Sequence, residues 1–483
     1  MTYAFTFDAT FCSGCKACQA ACKDKNNLPV GVLWRRVAEI SGGEWKKDGE
    51  AWTNTVFAYN LSMSCNHCAH PKCAGVCPVD AYGVREDGIV FLDTTKCMGC
   101  GYCAWACPYG APQYDPEAGH MTKCDFCLDQ LEQGLPPACA AACPMRVLDM
   151  TEIREQRVEI SAGEIENGKM ELWNTPGTEH PFPLPTFSHT EPRLAIQPHA
   201  AMKNVEEKTV ANFEEIQPRT PSAWEEVPLI LFTLLGQLSV GGFWAMSWMF
   251  PPLWALAKPD TTVLRLMPFV LIGISLGAGM LASFAHLGTK KNAWRVLSHL
   301  SHSWLSREVL FSGLFGLGWL YTTWEGMILK RMTIEVWGIT ATLGLGLVYS
   351  MAQVYRLPAA PGWNTWRTNA GFPVTALLLG LAGMAPLLAY ELGMTGFQIP
   401  ASQWAVINGS ILILLVTQLV LIPKRFSDRS YRNIRVGLIL LGITLAAAGI
   451  FPSSITDGVN IVILPSVFLE EGLGRWLFYR SRV

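Results

Sequence analysis

The stretch that decides the fold runs from Cys97 to Pro108 and reads Cys-Met-Gly-Cys-Gly-Tyr-Cys-Ala-Trp-Ala-Cys-Pro. Its spacing, Cys-x2-Cys-x2-Cys-x3-Cys-Pro, puts three thiols on one tight loop and the fourth on the following helical turn. Bacterial ferredoxins hold [4Fe–4S] clusters with this run, and in two-cluster ferredoxins the fourth cysteine binds the neighbouring cluster. The stretch therefore predicts an iron–sulfur protein with a ferredoxin-like fold.

Similar spacing occurs four times along the sequence. The sixteen cysteines form four quartets with none left over: Cys12, Cys15, Cys18 and Cys22; Cys65, Cys68, Cys73 and Cys77; Cys97, Cys100, Cys103 and Cys107; and Cys124, Cys127, Cys139 and Cys143. Proline follows the fourth cysteine at Pro78, Pro108 and Pro144, whereas Lys23 stands there in the first quartet. Structural zinc also uses Cys-x2-Cys pairs, but it does not need a third cysteine three residues after the second. Four complete quartets thus favour four [4Fe–4S] clusters over zinc.

Charge and hydropathy divide the chain into two unlike halves. The 483 residues carry 37 basic and 39 acidic side chains, for a net charge of −2. Up to Glu226 there are 19 basic and 30 acidic residues, and beyond it 18 and 9, while every cysteine lies between Cys12 and Cys143. These facts exclude a one-domain soluble enzyme, a disulfide-stapled secreted module, a disordered chain and a strongly basic nucleic-acid binder.

The first residues, Met1–Asp8, have neither the basic nor the apolar region of a signal peptide. We therefore expect the first half to lie in the cytoplasm, where thiols serve as metal ligands more often than as disulfides. Between the first two quartets, residues 33–40 and 55–61 are rich in β-branched and aromatic side chains and predict a hairpin.

Three regions follow from this division. Residues 1–172 are expected to form an α+β ferredoxin-like domain with several clusters, and residues 173–226 an extended, proline-rich linker or strap. Residues 227–483 are expected to form an all-α bundle of eight transmembrane helices. The apolar stretches are 227–250, 266–288, 306–324, 334–355, 372–394, 404–423, 434–452 and 459–479, of which the third and eighth are the least convincing.

Basic residues predict the orientation of these spans. With eight spans, the loops on the side of the first half carry fourteen Lys and Arg, and the opposite loops carry four. The positive-inside rule then places the iron–sulfur half on the cytoplasmic side of a bacterial or archaeal cytoplasmic membrane.

Ionisable residues at membrane depth are candidates for function because burying them is costly. His286 closes the second predicted span and Glu308 opens the third. An imidazole can accept a hydroxyl proton near neutral pH and a carboxylate can relay it, as quinol oxidation requires. The alternative is that Glu308 favours a helix N-terminus and His286 bonds a neighbouring backbone group, and the residues alone leave both open.

Two further points concern the same half. Glu471 and Arg475 stand four residues apart in the eighth span, which predicts an ion pair inside the bundle, with a proton path as the second interpretation. No haem is expected, because a bis-histidine site needs two intramembrane histidines and only His286 lies within a predicted span.

The chain resembles the dimethyl sulfoxide reductase family over nearly its whole length. Residues 1 to about 200 resemble the four-cluster electron-transfer subunit, in Cys12-Ser-Gly-Cys-Lys-Ala-Cys, Ser64-Cys-Asn-His-Cys, Ala106-Cys-Pro-Tyr-Gly-Ala-Pro-Gln-Tyr and Gly119-His-Met-Thr-Lys-Cys-Asp. Residues from about 224 resemble the membrane anchor, in Pro228-Leu-Ile-Leu-Phe-Thr-Leu-Leu-Gly-Gln, His286-Leu-Gly, Ser306-Arg-Glu and Glu471-Gly-Leu-Gly-Arg-Trp-Leu-Phe-Tyr. Two subunits that are usually separate are joined in this chain.

The resemblance implies a site and a ligand pattern. It implies that His286 and Glu308 line a menaquinol site, and that a separate catalytic subunit carries a molybdenum pterin cofactor. It also implies crossed ligation, with one cluster on each of the sets Cys12, Cys15, Cys18 and Cys143; Cys124, Cys127, Cys139 and Cys22; Cys65, Cys68, Cys73 and Cys107; and Cys97, Cys100, Cys103 and Cys77.

The sequence thus predicts a membrane-bound subunit of an anaerobic respiratory oxidoreductase. It would oxidise menaquinol from the lipid-dissolved quinone pool and pass electrons through four clusters to a molybdopterin subunit that reduces an S- or N-oxide such as dimethyl sulfoxide. The same module run in reverse, from sulfite or a reduced sulfur compound to quinone, is the nearest alternative. A transporter or redox sensor is a third, but it predicts broken helices and polar midplane residues that the spans do not display convincingly.

Overall fold

The computed structural model describes residues 2–154, 157–158, 171–172, 190–204, 226–249, 266–329, 333–394, 399–422, 429–450 and 456–480. The chain divides into two compact units. The first unit comprises Met1–Thr220 together with Gly288–His302, and the second comprises Pro221–Leu287 and Ser303–Val483. A short segment within the membrane half of the sequence, Gly288–His302, therefore belongs to the cysteine-containing unit, and we call it the docking loop.

The first unit contains short helices among many strands. In chain order its elements are β1 (Thr2–Asp8), α1 (Ala17–Lys25), β2 (Arg36–Gly42), β3 (Trp45–Asp48), β4 (Ala51–Asn54), β5 (Phe57–Met63), α2 (Lys72–Val76), β6 (Tyr82–Val84), β7 (Val90–Leu92), α3 (Tyr102–Ala106), β8 (Gln113–Asp115), β9 (His120–Thr122), α4 (Leu128–Leu131), α5 (Ala138–Ala141), β10 (Leu148–Arg154), β11 (Arg157–Val158), β12 (Glu171–Leu172) and β13 (Leu194–Gln197). This content of short helices and strands agrees with the α+β fold expected for the first region.

A five-stranded sheet lies behind the cysteine loops, in the order β11-β10-β1-β13-β12. Strand β1 pairs antiparallel with β10 and parallel with β13. Four consecutive residues of β1 are buried, because a central strand covered on both faces needs an unbroken apolar run. Phe5 and Phe7 of this run belong to a core that includes many of the cysteines, so the sheet and the thiol loops share one interior.

Residues 190–204, which the sequence assigns to a linker, are integral to this unit. Leu194, Ala195 and Ile196 of β13 are buried beside β1, and a 3₁₀ turn follows at Ala200–Asn204. Burial of these apolar side chains explains why the segment joins the sheet. Most of the rest of the predicted linker lies outside the described residues, and the boundaries of the three-region division stay a prediction.

The hairpin predicted between the first two quartets is present. Strands β2 and β5 pair antiparallel over seven residues, from Arg36 opposite Met63 to Gly42 opposite Phe57. The inner residues Ile40 and Tyr59 are buried, whereas β3 and β4 form an outer ladder with every residue exposed.

The second unit is mostly helical. Its helices are α6 (Val227–Trp244), α7 (Leu266–Ala285), α8 (Trp304–Met327), α9 (Ile334–Val354), α10 (Trp366–Met394), α11 (Ala401–Leu421), α12 (Arg429–Ile450) and α13 (Thr456–Arg480). Helix α6 is the central element and packs on α7 and α10, while α8 packs on α9, and α12 packs on both α11 and α13.

Six of the described helices are long and apolar enough to cross a membrane, namely α6, α7, α9, α10, α11 and α12. Helices α8 and α13 have sufficient length, but charged side chains such as Glu308, Glu325, Glu470 and Arg475 interrupt their apolar character. They correspond to the two weakest predicted spans. The second unit is thus a multi-pass membrane region with six candidate spans, and the count of eight stays a prediction.

Candidate functional site

All four Cys-x2-Cys loops share one backbone conformation. The residue before the second cysteine is in the left-handed region in every loop: Gly14 at φ 69°, His67 at 42°, Gly99 at 71° and Phe126 at 67°. This turn points backbone amides at the first thiol, so that Gly99 N–H donates to Cys97 Sγ over 3.4 Å and Phe126 N–H to Cys124 Sγ over 3.4 Å. Successive N–H groups that converge in this way form a cradle for an anion.

The left-handed conformation could be predicted from the sequence at the two glycines, but not at His67 and Phe126. A side chain with positive φ is uncommon outside glycine, asparagine and aspartate. Tertiary contacts hold both residues in place, because the Phe126 ring stacks on Phe5 at 4.2 Å and meets the His67 ring edge-on at 5.2 Å. The sequence therefore revealed the spacing of the loops, and the packing completes their shape.

The electrostatic neighbours of the thiols cross between the sequence quartets. Burial raises the pKa of Cys12, and the neighbouring thiols of Cys18, Cys143 and Cys15 raise it further. In the same way Cys139 and Cys127 act on Cys22, the thiols of Cys65, Cys107 and Cys73 act on Cys68, and Cys100, Cys77 and Cys97 act on Cys103. These neighbours are compatible with the four crossed sets that the family resemblance implies, and the sets stay a prediction. We number them group 1 (Cys12, Cys15, Cys18, Cys143), group 2 (Cys22, Cys124, Cys127, Cys139), group 3 (Cys65, Cys68, Cys73, Cys107) and group 4 (Cys77, Cys97, Cys100, Cys103).

Helix pairing produces this exchange of fourth cysteines. Helix α1, which carries Cys18 and Cys22, packs against α5, which carries Cys139. Helix α2, directly followed by Cys77, packs in the same way against α3, directly followed by Cys107. The packing of these helices therefore brings Cys22, Cys77 and Cys107 towards the partner quartets.

The four groups form a row. Cys139 of group 2 acts electrostatically on Cys18 of group 1, and Cys65 of group 3 acts on Cys124 of group 2. Tyr82 links the last two groups, because Cys103 of group 4 and Cys73 of group 3 both act electrostatically on its buried hydroxyl. The order along the row is therefore group 1, group 2, group 3 and group 4.

The thiol groups fit a metal cluster chemically. All sixteen cysteines are free thiols, and most are buried or half-buried. Burial raises the pKa of Cys22 and of Cys100 to about 12 and that of Cys107 to about 11, because a lone thiolate is poorly solvated there. Bound metal reverses this cost by deprotonating its thiol ligands. Among the described residues no three His, Cys, Asp or Glu converge as a single metal ion requires, so the grouping rests on the thiol neighbours above.

Group 3 also surrounds a cavity. The thiols of Cys65, Cys68, Cys73 and Cys107 line it together with Lys123 and Thr190. The hydroxyl of Thr190 lowers the pKa of Cys68 and lies 2.6 Å from the hydroxyl of Tyr109. Thr190 belongs to the segment that the sequence assigned to the linker, so this segment completes the wall of the cavity.

The docking loop bonds to the backbone of group 4. Thr289 N–H donates to Met98 O over 3.0 Å, and Asn292 Nδ2 donates to Cys97 O and to Thr95 O, each over 2.8 Å. His299 Nδ1 lies 2.8 Å from Cys77 O. Sequence reasoning missed Asn292 and His299 as contacts of a thiol group, because polar residues in a basic loop carry no signal of their partner.

The two candidate quinol residues lie in the second unit. His286 directly follows the last residue of α7 and is half-buried. Its backbone N–H donates to Ala282 O over 3.3 Å. Glu308 lies in the first part of α8 with 3% of its surface exposed. It acts electrostatically on Tyr355, whose hydroxyl lies 2.5 Å from that of Tyr479. The joint role of His286 and Glu308 stays a prediction.

Glu471 and Arg475 interact electrostatically, but the structure shows no direct ion pair between these two described side chains. The Glu471 carboxylate accepts hydrogen bonds from Thr375 over 3.0 Å and from Gln418, while Arg475 donates to Gln237 over 2.9 Å. A carboxylate of α13 that does form an ion pair is Glu470, which lies 2.8 Å from Arg435 of α12. Helical spacing placed Glu471 and Arg475 on one face, but side chains of other helices compete for both groups.

Four thiol groups in one unit and a helical, membrane-spanning second unit define the class: an iron–sulfur electron-transfer protein joined to a multi-pass membrane anchor. Residues 56–153 match the 4Fe-4S dicluster domain, and residues 221–434 match the DMSO reductase anchor subunit (DmsC). This chain thus belongs to the dimethyl sulfoxide reductase family and unites the iron–sulfur subunit with the anchor.

Three relatives illustrate the similarity. The chain is 42% identical over 219 residues to a component of the anaerobic dimethyl sulfoxide reductase of Escherichia coli (strain K12), a match that covers 44% of this chain and 98% of that protein. It is 39% identical over 166 residues to the formate dehydrogenase iron-sulfur subunit of Wolinella succinogenes, covering 30% of this chain and 78% of the relative. It is 34% identical over 203 residues to a component of the tetrathionate reductase of Salmonella typhimurium, covering 40% and 79%.

Proposed function

We propose that this protein oxidises menaquinol and delivers the electrons, through four [4Fe–4S] clusters, to a separate molybdopterin catalytic subunit that reduces an S- or N-oxide such as dimethyl sulfoxide. The row of four thiol groups that ends at the docking loop is the observation that carries the proposal. In sequence, the loop begins two residues after His286 and ends six residues before Glu308. The segment that bonds to group 4 is therefore continuous with both candidate quinol residues.

Each thiol group is proposed to hold one cluster. The mutual influence of Cys12 and Cys143, and of Cys68 and Cys107, supports ligand sets that cross between quartets. When bound, such clusters supply one-electron carriers, which a two-electron quinol donor and a distant acceptor require. The polypeptide would contribute the spacing of the groups, the amides that face the thiols and the exclusion of water.

His286 and Glu308 are proposed to handle the quinol protons. A neutral imidazole accepts a hydroxyl proton near neutral pH, and a carboxylate can take it onward. The hydroxyls of Tyr355 and Tyr479, 2.5 Å apart, extend the polar path from Glu308 into the bundle. The burial of Glu308, with 3% of its surface exposed, supports this role, because burying an ionisable group in an apolar helix is costly and usually marks a functional residue.

The proposed arrangement in the membrane has eight spans, α8 and α13 being the two additional ones. An even number of spans puts both ends of the membrane region on one side, and the fourteen basic loop residues of that side then indicate the cytoplasm. The iron–sulfur unit and its catalytic partner would both be cytoplasmic.

Electron flow in the opposite direction, from a reduced sulfur compound to quinone, is the alternative. The relatives include proteins named as reductases and one named as a dehydrogenase, so the shared architecture is compatible with both directions. Coverage of 98% of a dimethyl sulfoxide reductase component supports the reductive direction.

The experiment measures cluster reduction in membranes that contain the full-length protein. A menaquinol analogue is added anaerobically, and the reduced clusters are followed by electron paramagnetic resonance. Because proton acceptance contributes on the order of 10²-fold or more, we expect His286→Leu and Glu308→Gln to slow reduction by quinol about 100-fold while dithionite still reduces every cluster.

Glu335→Gln is the matched control, because Glu335 is an exposed carboxylate in the first turn of the next helix. It should leave reduction by quinol unchanged. Wild-type rates in both His286→Leu and Glu308→Gln would remove the quinol site from these residues. Oxidation of the pre-reduced clusters by menaquinone but no reduction by menaquinol would favour the reverse direction.

A further inference from the structure

Arg35 is the most deeply buried cation among the described residues of the first unit. Only 2% of its surface is exposed. Its Nη1 donates to Ser62 Oγ over 3.2 Å, its Nη2 donates to Ser64 Oγ over 2.9 Å, and the guanidinium lies 4.5 Å from the centre of the Phe5 ring. Among the described residues, no carboxylate forms an ion pair with it, and its Nε has no hydrogen-bond partner. A buried cation without a counter-charge is strongly unfavourable, so something anionic must face it.

Thiols of groups 1 and 2 occupy that position. The thiols of Cys139 and Cys22 in group 2 both interact electrostatically with the Arg35 guanidinium. Ser62 connects it to group 1, because the Ser62 hydroxyl that accepts from Arg35 lies 3.5 Å from Cys18 Sγ. Arg35 thus interacts electrostatically with group 2 and is connected to group 1 through one hydroxyl.

The electrostatics agree with this placement. Burial alone lowers the pKa of Arg35, but the thiols of Cys139, Cys124 and Cys18 raise it above its ordinary value. Two other cations near the thiols are placed differently. Lys25 near group 2 is balanced by Asp129 at 2.6 Å, and buried Lys123 donates to the carbonyls of Val90 and Cys124 and acts on Cys73 of group 3. Arg35 is therefore a buried charge without an ion pair that acts on groups 1 and 2.

We propose that Arg35 raises the reduction potentials of the two clusters held by groups 1 and 2, and so sets a favourable step in the electron path at that end of the row. The physical reason is that reduction adds one negative charge to a cluster, and a fixed buried cation stabilises the added charge more than solvent would. The inference rests on the proposed function, because it requires that these groups hold clusters. It concerns a fixed charge and involves no proton transfer by Arg35.

The test is a redox titration of the full-length protein in membranes, with dithionite supplying one electron per cluster and electron paramagnetic resonance reporting each one. Arg35→Met removes the charge and keeps the length of the side chain. We expect the equilibrium constant for reduction of two of the four clusters to fall at least about tenfold. This lowers their reduction potentials by about 59 mV for a one-electron couple. The potentials of the other two clusters should stay unchanged. Arg35→Lys keeps the charge and should restore most of the shift.

Arg85→Gln is the matched control, since Arg85 is partly exposed and already balanced by Asp87 at 3.1 Å and Glu132 at 3.3 Å. It should shift no potential. A merely structural role for Arg35 predicts unchanged potentials in Arg35→Met, and that result would overturn the proposal. The proposal would also be overturned if Arg35→Met shifted the potentials of all four clusters equally. The same holds if Arg35→Lys lowered the potentials as much as Arg35→Met.

Two further measurements separate the possible failures. If Arg35→Met assembles poorly, Ser62→Ala removes only the hydroxyl between Arg35 and Cys18, and we expect a smaller lowering confined to one cluster; no shift would overturn the proposal. Iron and acid-labile sulfide are counted in the wild-type protein. Fewer than four clusters would refute the proposed function itself, whereas four clusters with unmoved potentials would refute the role of Arg35 alone.

Discussion

The two units balance buried positive charge in different ways. In the first unit, Arg35 is buried among thiols and serine hydroxyls and forms no ion pair with a described carboxylate. In the second unit, Arg435 is also buried, but the carboxylate of Glu470 lies 2.8 Å from its Nε. Lipid supplies no counter-ion, so this buried arginine is balanced by a carboxylate of the neighbouring helix. A cluster domain can leave the counter-charge to its cofactor, and its stability then depends on that cofactor.

The largest expected effect tests this difference directly. Removal of iron by a chelator under oxidising conditions should unfold the first unit, because its buried thiols and Arg35 lose the metal that holds them together. The second unit should keep its helices, since its packing and buried pairs such as Arg435 with Glu470 do not involve iron. Circular dichroism would report retained helix, and limited proteolysis would report complete digestion of the first unit only.

Protein treated identically without the chelator serves as the control. A first unit that stayed resistant to protease after full loss of iron would show that the cofactor is not the missing counter-charge.

The next effect concerns the second unit. Arg435→Met leaves the Glu470 carboxylate buried without its cation, and removal of one partner of a buried pair typically costs about 3–5 kcal/mol. The double variant Arg435→Met/Glu470→Leu should recover most of that loss, because no unpaired charge remains. Thermal unfolding in detergent measures both. If the single variant were as stable as the wild type, the pair would not be balancing buried charge at all.

The smallest effect concerns the docking loop. Asn292→Leu removes two hydrogen bonds to the carbonyls of Thr95 and Cys97 and leaves both acceptors unsatisfied, at a cost of about 1–3 kcal/mol. We expect faster amide hydrogen exchange across residues 288–302 and little change in global stability. Asn54→Leu, at an exposed position in the outer hairpin, is the control and should leave exchange in the loop unaltered. Unaltered exchange in Asn292→Leu would mean that other contacts hold the loop.

The sequence predicted the iron–sulfur domain and the hairpin of β2 and β5 because both depend on local spacing. The sequence did not predict contacts that depend on residues distant along the chain. Glu471 and Arg475 were expected to pair at helical spacing, yet Thr375, Gln418 and Gln237 engage them instead. Residues 190–204 were read as part of a linker, because proline and polar residues obscure a four-residue strand whose stability comes from β1.

Local chemistry is thus what the sequence determined by itself: cysteine spacing defines the loops that can hold clusters, and apolar length defines the helices that can cross a membrane. Only the tertiary structure decided which thiols are electrostatic neighbours from group 1 to group 4, and that residues 288–302 belong to the cysteine unit. The physical reason is that these outcomes depend on which helices pack together and which carbonyls lie within reach of a distant side chain. Spacing along the sequence contains no information about either.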